Sequence, residues 1–467
     1  MSEPDVSPLA HVKPAPGQAS GGPLRVHVLT FGCQMNKYDS AMVAGLLGAQ
    51  GAEFVPDEAH ADLLLINTCS VREHAEDRVY SLLGFLRRRK RKQPGFLIAV
   101  LGCMAQKEAA HIAARFPHVD LIVGTRMLDE FPRLLERVRE GAPTPLVAVD
   151  VKPKISFGET VGRRETRHQA FLAVTRGCNK RCTYCVVPYT RGPEASRPVD
   201  ELLAEARRLL DDGVSEVTLL GQTIDTYGRD LGTDLPALLE ALYPLPGLKR
   251  LRFITSHPGE CREELFRVMH DLGDKVMPFL HMPVQSGADR ILRRMGRGYT
   301  RARYLEVVTA ARRLCSEIEL ATDWIVGFSG ESDDEFAQSL SLCEEVRFQF
   351  SYVFKYSVRE GTPAVKLPDD VPEAVKKARH RQLLHAQERI SLDKNRERIG
   401  QVENVLVEGP SKLDPGRLTG RSRTFRLVHF PGGEDLAGRY VDVRITGATG
   451  LALTGEAIAE RGMRTAD

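Results

Sequence analysis

Three apolar, strand-like runs, LRVHVLTFGC, DLLLINTC and FLIAVLGC, each close on a cysteine: Cys33, Cys69 and Cys103. These cysteines are 36 and 34 residues apart, the length of one strand–helix repeat. Amphipathic helical stretches over 39–49 and 71–92 separate the runs, and a fourth run, VDLIVG over 119–124, follows without a cysteine. Apolar runs alternating with helical patterns specify βα units on a parallel sheet, so a doubly wound parallel-sheet domain is expected over 24–145. Such a sheet carries the C-terminal ends of its strands to one edge, where open α/β sheets bind ligands. Three thiols are thereby expected at that edge.

The chain has 467 residues, room for about three domains at ~150 residues each. Residues 1–23 hold five prolines among small and polar neighbours and read as a disordered extension. A polar stretch over 146–168 reads as a linker. Beyond it, strand patterns recur at FLAVTRGC, EVTLLGQ, RLRFITS, FLHMPVQ, IELATDWIVGF and FSYVFKYS, with helical stretches between them, for example over 199–212 and 301–315. Six such repeats, closed by a long amphipathic helix over 372–399, predict a partial (βα)6 barrel over 169–399, two units short of the eightfold form. From 400 to 464, short runs separated by Gly and Pro-Gly predict a small all-β barrel. The expected class is α/β: sheet domain, partial barrel, small β-barrel.

Nine cysteines is an odd number and too sparse for a disulfide scaffold. The N-terminus has neither a basic start nor an apolar core, so a secretory signal is not expected and the cytoplasm is the expected compartment. There thiols stay reduced, and patterned cysteines are more often metal ligands or catalysts than bridges. The longest apolar run, 96–105, is about half of a bilayer span. With 65 basic and 62 acidic residues the formal charge is +3, so any basic partner surface must be local.

CNKRCTYC places Cys178, Cys182 and Cys185 on one loop at the end of the first barrel strand. Zinc takes four tetrahedral ligands, or three plus water, and favours paired CxxC units. A cubane iron–sulfur cluster takes one thiolate per iron, so three cysteines leave one iron open to a chelating molecule. A zinc knuckle is the competing reading. The spacing CxxxCxxC after the first strand of a six-unit barrel resembles the radical S-adenosylmethionine (SAM) superfamily. That resemblance implies a 4Fe-4S cluster whose open iron chelates SAM, followed by reductive cleavage to a 5′-deoxyadenosyl radical. Tyr184 falls where the superfamily usually has an aromatic. Active sites of such barrels gather at the strand C-terminal ends. Polar, glycine-containing turns there make Gly221, Gln222, Gln285, Ser286, Gly327 and Glu331 candidate SAM contacts, with His257 a substrate-side candidate. No side chain is singled out as a catalyst in its own right.

The segments TFGCQMN, NTCSVRE and GCMAQ, followed by CNKRCTYCVVPYTRG and a TRAM-like tail, resemble the methylthiotransferase family from residue 24 to 464. The resemblance implies a second 4Fe-4S cluster on Cys33, Cys69 and Cys103 that carries sulfur, and two uses of SAM, as methyl donor and as radical source. Attaching sulfur to an aromatic C–H carbon has no acid–base route at neutral pH, which is why the cofactors would supply the chemistry. An electron-donor protein and an unidentified sulfur source are implied, and a monomer is expected. Cys261, Cys315 and Cys343 fall on predicted barrel helices without ligand spacing and read as packing residues.

RFITSHPGE and GQTIDTYG resemble the branch acting on N6-dimethylallyladenosine next to the anticodon in tRNA. Thr223, Asp225 and Ser329 depart from that branch. Action on threonylcarbamoyladenosine in tRNA or on a ribosomal protein is the alternative, and a zinc-containing RNA-binding module without catalysis a distant one. Two patches are candidate RNA contacts: Arg417, Arg421, Arg423 and Arg426 in the tail, with no acid between them, and the six cations Arg87 to Lys92 ending a helix.

Overall fold

The structure, a computed structural model, describes residues 22–70, 73–149, 164 and 166–458, apart from 413. Residues 1–21 of the expected extension, most of the expected linker, and 459–464 of the expected tail lie outside the described residues.

The first domain is a six-stranded parallel sheet in the order β2-β1-β3-β4-β5-β6. Its strands are β1 (Arg25–Phe31), β2 (Glu53–Phe54), β3 (Leu63–Thr68), β4 (Leu97–Gly102), β5 (Leu121–Val123) and β6 (Leu146–Ala148). Its helices are α1 (Gln34–Ala49), α2 (Glu73–Lys92), α3 (Cys103–Arg115) and α4 (Phe131–Arg139). Side chains alternate across a strand, so Leu63 and Leu65 pack with Met42, Val43 and Phe131 on the α1/α4 side. Leu64 and Ile66 pack with Val79, Leu83 and Ile112 on the α2/α3 side. That two-sided covering explains why β3 is apolar and buried throughout. The sheet runs on through β6, three residues past the expected boundary at 145. Helix α1 starts at Gln34, five residues before the expected 39, because its first turn is covered by the next domain. Met35 and Tyr38 pack there against Ala173 and Leu220.

The central domain carries two parallel triplets. One is β11-β10-β7 and the other β12-β13-β14. Their bounds are β7 (Gln169–Ala173), β10 (Glu216–Leu220), β11 (Arg250–Phe253), β12 (Phe279–His281), β13 (Glu319–Val326) and β14 (Phe350–Lys355). A parallel bridge between Leu251 and Val276 joins the triplets, giving six strands with β7 and β14 as edges. A short antiparallel pair, β8 (Thr175–Arg176) and β9 (Ala195–Ser196), flanks the first cysteine loop. Leu172, Val217, Leu251, Leu280, Leu320 and Trp324 face the surrounding helices and form the main core. The intervening residues face the lumen.

The tail is a closed barrel in the order β15-β16-β17-β19-β18, with β15 (Val402–Pro410), β16 (Arg417–Ser422), β17 (Leu427–Pro431), β18 (Tyr440–Ala448) and β19 (Ala452–Ala457). It plugs the N-terminal end of the partial barrel. Arg250 donates to the Arg421 carbonyl at 2.8 Å and the Asn404 carbonyl at 2.7 Å. Arg252 donates to the Ser422 carbonyl at 2.8 Å, and Phe425 stacks on Phe279 with ring centroids 5.1 Å apart. Glu216, buried between Arg250 and Arg252, balances part of their charge.

Candidate active site

Cys33, Cys69 and Cys103 stand at the C-terminal ends of three adjacent strands, β1, β3 and β4. In register, Phe31 lies opposite Thr68 and Thr68 opposite Gly102. Two glycines permit the approach. A Cβ on Gly32 would lie 2.7 Å from the Cys69 Cβ, and one on Gly102, at φ +97°, would lie 2.2 Å from Asn67 Oδ1. Asn67 ties the edge together by donating to the Asn36 carbonyl and to Ser40 Oγ, both at 2.9 Å. Hydrogen bonding to Cys69 brings the Cys33 thiol down to about 6, aided by the Arg191 charge and opposed by burial. Burial pushes the Cys103 thiol up.

Cys178, Cys182 and Cys185 follow β8. Gly177, at φ +82°, is held so close to the Pro193 carbonyl that a Cβ would lie 2.1 Å from it. Cys178 Sγ lies 3.4 Å from Thr223 Oγ1, and Arg297 donates to Cys182 Sγ at 3.5 Å. Burial pushes Cys178 up, and Cys185 up to about 12, so these two thiols stay protonated when bare. A bound metal centre deprotonates a coordinating thiol outright, and this donor set suits one. All nine cysteines are free. Among the described residues no three His, Cys, Asp or Glu groups converge tightly enough to grip one ion. Three thiols on one loop, and three more along one sheet edge, suit a four-iron cluster, which takes one thiolate per iron.

Helix α5 (Val187–Arg191) joins the two thiol sets. It begins two residues after Cys185, and its last residue, Arg191, lies within electrostatic reach of Cys33 and Cys103. At 1.5 Å per residue such a helix spans under ~10 Å. Arg191 donates to Asp39 Oδ2 at 2.8 Å, and Arg176 lies 2.9 Å from Asp39 Oδ1. All three side chains are buried, leaving one net positive charge beside the first set. Arg126 adds bonds to the Arg191 and Pro193 carbonyls at 3.1 and 2.9 Å. The sequence reading missed this clamp. Its one local signal was an aspartate among the apolar residues Met35, Met42 and Val43 of one helix.

Cys33, like Phe171 and Ile254, packs against the cluster of Met35, Tyr38, Ala173 and Leu220, so the first thiol set borders the barrel lumen. On the opposite edge Phe350, Tyr352 and Phe354 share the lumen face of β14. Tyr352 is 51% exposed and Phe354 41%, with their rings 6.5 Å apart. Beside them His281 Nε2 lies 3.1 Å from Asp323 Oδ1.

The candidate SAM contacts divide. Gly221 abuts Thr175, and the Gln222 Oε1 atom is buried without a partner. Gln285, at φ +73°, donates its N–H to the Asp323 carbonyl at 2.9 Å. Ser286 is fully buried and its Oγ accepts from the Ala288 N–H at 3.3 Å. Glu331 is bonded within the protein. Its carboxylate accepts from the Gly327 N–H at 2.7 Å and from Arg379 at 2.9 Å, so it fastens the long helix Glu373–Arg396 to the turn after β13. A Cβ on Gly327 would lie 2.4 Å from Lys376 Cγ of that helix. A cavity of about 320 Å³ beside the CNKRCTYC loop is lined by Asn179, Lys180, Glu194, Thr226, Arg229 and Asp230. Cys261 and Cys315 lie just outside helices, before Glu263–Asp271 and after Arg301–Leu314, while Cys343 lies within Asp333–Val346. All three are buried.

The tail arginines, expected as RNA contacts, each have a protein partner. Arg426 is 4% exposed and pairs with Glu319 at 2.6 Å. Arg423 donates to the Asp274 carbonyl at 3.0 Å and to the Gly273 carbonyl. Arg421 lies over Phe425 and 3.5 Å from Glu408, and Arg417 pairs with Asp414 at 3.3 Å. The first two dock the tail onto the barrel, so they form no open basic face.

Comparison with known proteins agrees with this division. Residues 25–124 match the model described as uncharacterized protein family UPF0004, 172–343 the radical SAM superfamily, and 396–458 the TRAM domain. A curated protein of Moorella thermoacetica named tRNA-2-methylthio-N(6)-dimethylallyladenosine synthase is 45% identical over 443 residues, covering 92% of this chain and 98% of that one. One of the same name from Carboxydothermus hydrogenoformans is 44% identical, covering 90% and 96%. Among solved structures, the radical SAM methyltransferase TsrM from Kitasatospora setae superposes with a TM-score of 0.53 at 16% identity, covering 73% of this chain and 77% of that one. The likeness to TsrM is one of fold. Full-length similarity to the named relatives, together with the three matched domains, makes this chain a member of the radical SAM enzyme family of tRNA-2-methylthio-N(6)-dimethylallyladenosine synthases.

Proposed function

We propose that the chain places a methylthio group on C2 of the adenine of N6-dimethylallyladenosine, next to the anticodon in tRNA. In this reading Cys178, Cys182 and Cys185 hold the 4Fe-4S cluster that binds SAM, and Cys33, Cys69 and Cys103 hold a second that carries sulfur. When bound, these groups supply the hydrogen-atom abstraction and the sulfur and methyl transfer that no acid–base route offers. The reading is supported above all by two free-thiol triads, one at the ends of three parallel strands and one on the loop after β8, linked by the five residues of α5.

The chain's own residues bind, orient and exclude water. Arg297 presents N–H to the Cys182 sulfur, and Thr223 presents its hydroxyl to Cys178. Such contacts favour the charged form of a thiolate. The buried Arg191–Asp39–Arg176 group does the same by charge beside the other triad. Gln222, with an unpartnered buried carbonyl oxygen, is suited to accept from an amine or hydroxyl in the lumen. Tyr352 and Phe354 offer a stacking platform for an unstacked base, with His281 and Asp323 beside it for the base edge. Phe425 and Arg252 close the far end against water. An electron-donor protein and an outside sulfur source complete the reaction, and the chain acts as a monomer in the cytoplasm.

Anaerobically reconstituted protein should hold about eight irons per chain, and Cys33→Ala/Cys69→Ala/Cys103→Ala about four. Unchanged iron in that variant would remove the second cluster. Nucleoside analysis of tRNA from a deletion strain should show the 2-methylthio group missing from N6-dimethylallyladenosine. Its persistence would move the substrate to threonylcarbamoyladenosine or to a ribosomal protein.

A further inference from the structure

The six-cation run closing α2 divides by helix geometry. Arg89 donates to the Ala61 carbonyl at 2.8 Å and lies 3.7 Å over the Phe96 ring. Lys90 reaches Asp120 at 2.7 Å. These two are structural, locking α2 to the loops beneath it. Arg87, Arg88, Arg91 and Lys92 are exposed, and none forms an ion pair among the described residues. Val79, Leu83 and Leu86 define the buried stripe of α2, so at 3.6 residues per turn Arg88 sits at the centre of the opposite face.

Two further features lie on this face. Phe85 is 81% exposed, and Arg78, Phe85 and Lys92 fall seven residues apart, on one line along the helix. On α3, which packs beside it, exposed Arg115 stands 5.3 Å over the Tyr80 ring of α2. Asp77 is an exposed acid of the face, three turns from Arg88 toward the strand ends. With the chain as a whole near neutrality at +3, this is a concentrated local field. Exposed aromatic side chains among cations are the composition of surfaces that track a nucleic-acid backbone.

We infer that the outward face of α2 is an RNA-binding surface that takes the phosphates of the tRNA stem. The inference rests on the tRNA reading above. Arg88 lies fifteen residues into α2, ~22 Å along its axis from the end nearest Cys69. A protein delivering electrons has to approach the thiol sets themselves, whereas an RNA stem whose loop enters the lumen extends over that distance. The surface therefore positions the substrate.

The test measures binding of full-length chain to tRNA bearing N6-dimethylallyladenosine, by anisotropy at several salt concentrations. Arg88→Glu/Arg91→Glu should weaken binding about tenfold or more near 0.15 M salt and flatten the slope of log K against log salt by about two. Phe85→Ala should weaken binding without flattening the slope, as lost stacking does. A matched reversal on α4, Arg137→Glu/Arg139→Glu, should stay within about twofold of wild type. Unchanged circular dichroism and iron content show that the variants fold. Wild-type affinity and slope in the α2 variant, or an equal loss in the α4 variant, overturns the surface alone. If the wild-type chain binds this tRNA no tighter than an unrelated RNA hairpin, the tRNA reading falls and the surface with it.

Discussion

His257 shows how much of the site is set by single side chains. Its Nδ1 accepts from the Gly259 N–H at 3.2 Å, so the ring proton resides on Nε2, which is buried without a partner. Burial, with the charges of Arg297 and Lys180, pulls its pKa down to about 2, and the ring is neutral in the fold. In the unfolded chain it takes a proton below about 6.5. Stability is therefore undiminished above that pH and falls as pH drops below it. Relative to His257→Gln, the wild type should lose about 1.4 kcal/mol per pH unit between 6.5 and 4.5. Parallel stability curves in chemical melts of the two proteins would contradict this. At this scale the sequence was most legible for the cysteines, because each of the six follows a strand pattern and a strand end has a fixed place on a sheet. The neutrality of His257 was not legible, because it depends on Arg297 forty residues on.

At the scale of elements, α5 and β14 carry the site between them. Helix α5 shows little in the sequence beyond YTRG, yet it fixes the separation of the two thiol sets and carries Arg191 to Asp39, 152 residues away. No periodicity reports a pair at that distance, which is why the clamp stayed hidden while the alternating strand–helix pattern was plain. Strand β14 reads as an ordinary alternating strand, and its aromatic face gives no sign in sequence of whether it meets helices or a lumen. The structure places Val353 toward the core and Tyr352 toward the open lumen. If the ladder holds the base, Tyr352→Ala should forfeit about 1–3 kcal/mol of stacking, raising KM for tRNA roughly tenfold or more with folding intact. A KM equal to wild type, measured at saturating SAM, would assign Tyr352 no part in binding.

At the scale of the molecule, the tail barrel is fastened by arginines that looked like an RNA patch. Four arginines without an intervening acid give one local pattern whether they face solvent or another domain. Only long-range partners, Glu319 for Arg426 and the 273–274 carbonyls for Arg423, separate the two. Removing one member of a buried charge pair costs about 3–5 kcal/mol. Lys394 still pairs with Glu319 at 2.8 Å, so Arg426→Ala should fall at the lower end and expose the segment near Gly400 to protease. Unaltered proteolysis and Tm would show that the tail is held elsewhere. The tail also gives the lumen its plan. One end is plugged by Phe425 and Arg252 and one flank is covered by α1, while Tyr352 and Phe354 leave the β14 edge open to solvent. A chamber walled on those two sides admits a large partner from the β14 side and keeps its tail end dry, so approach is given a direction by the walls before any bond is broken.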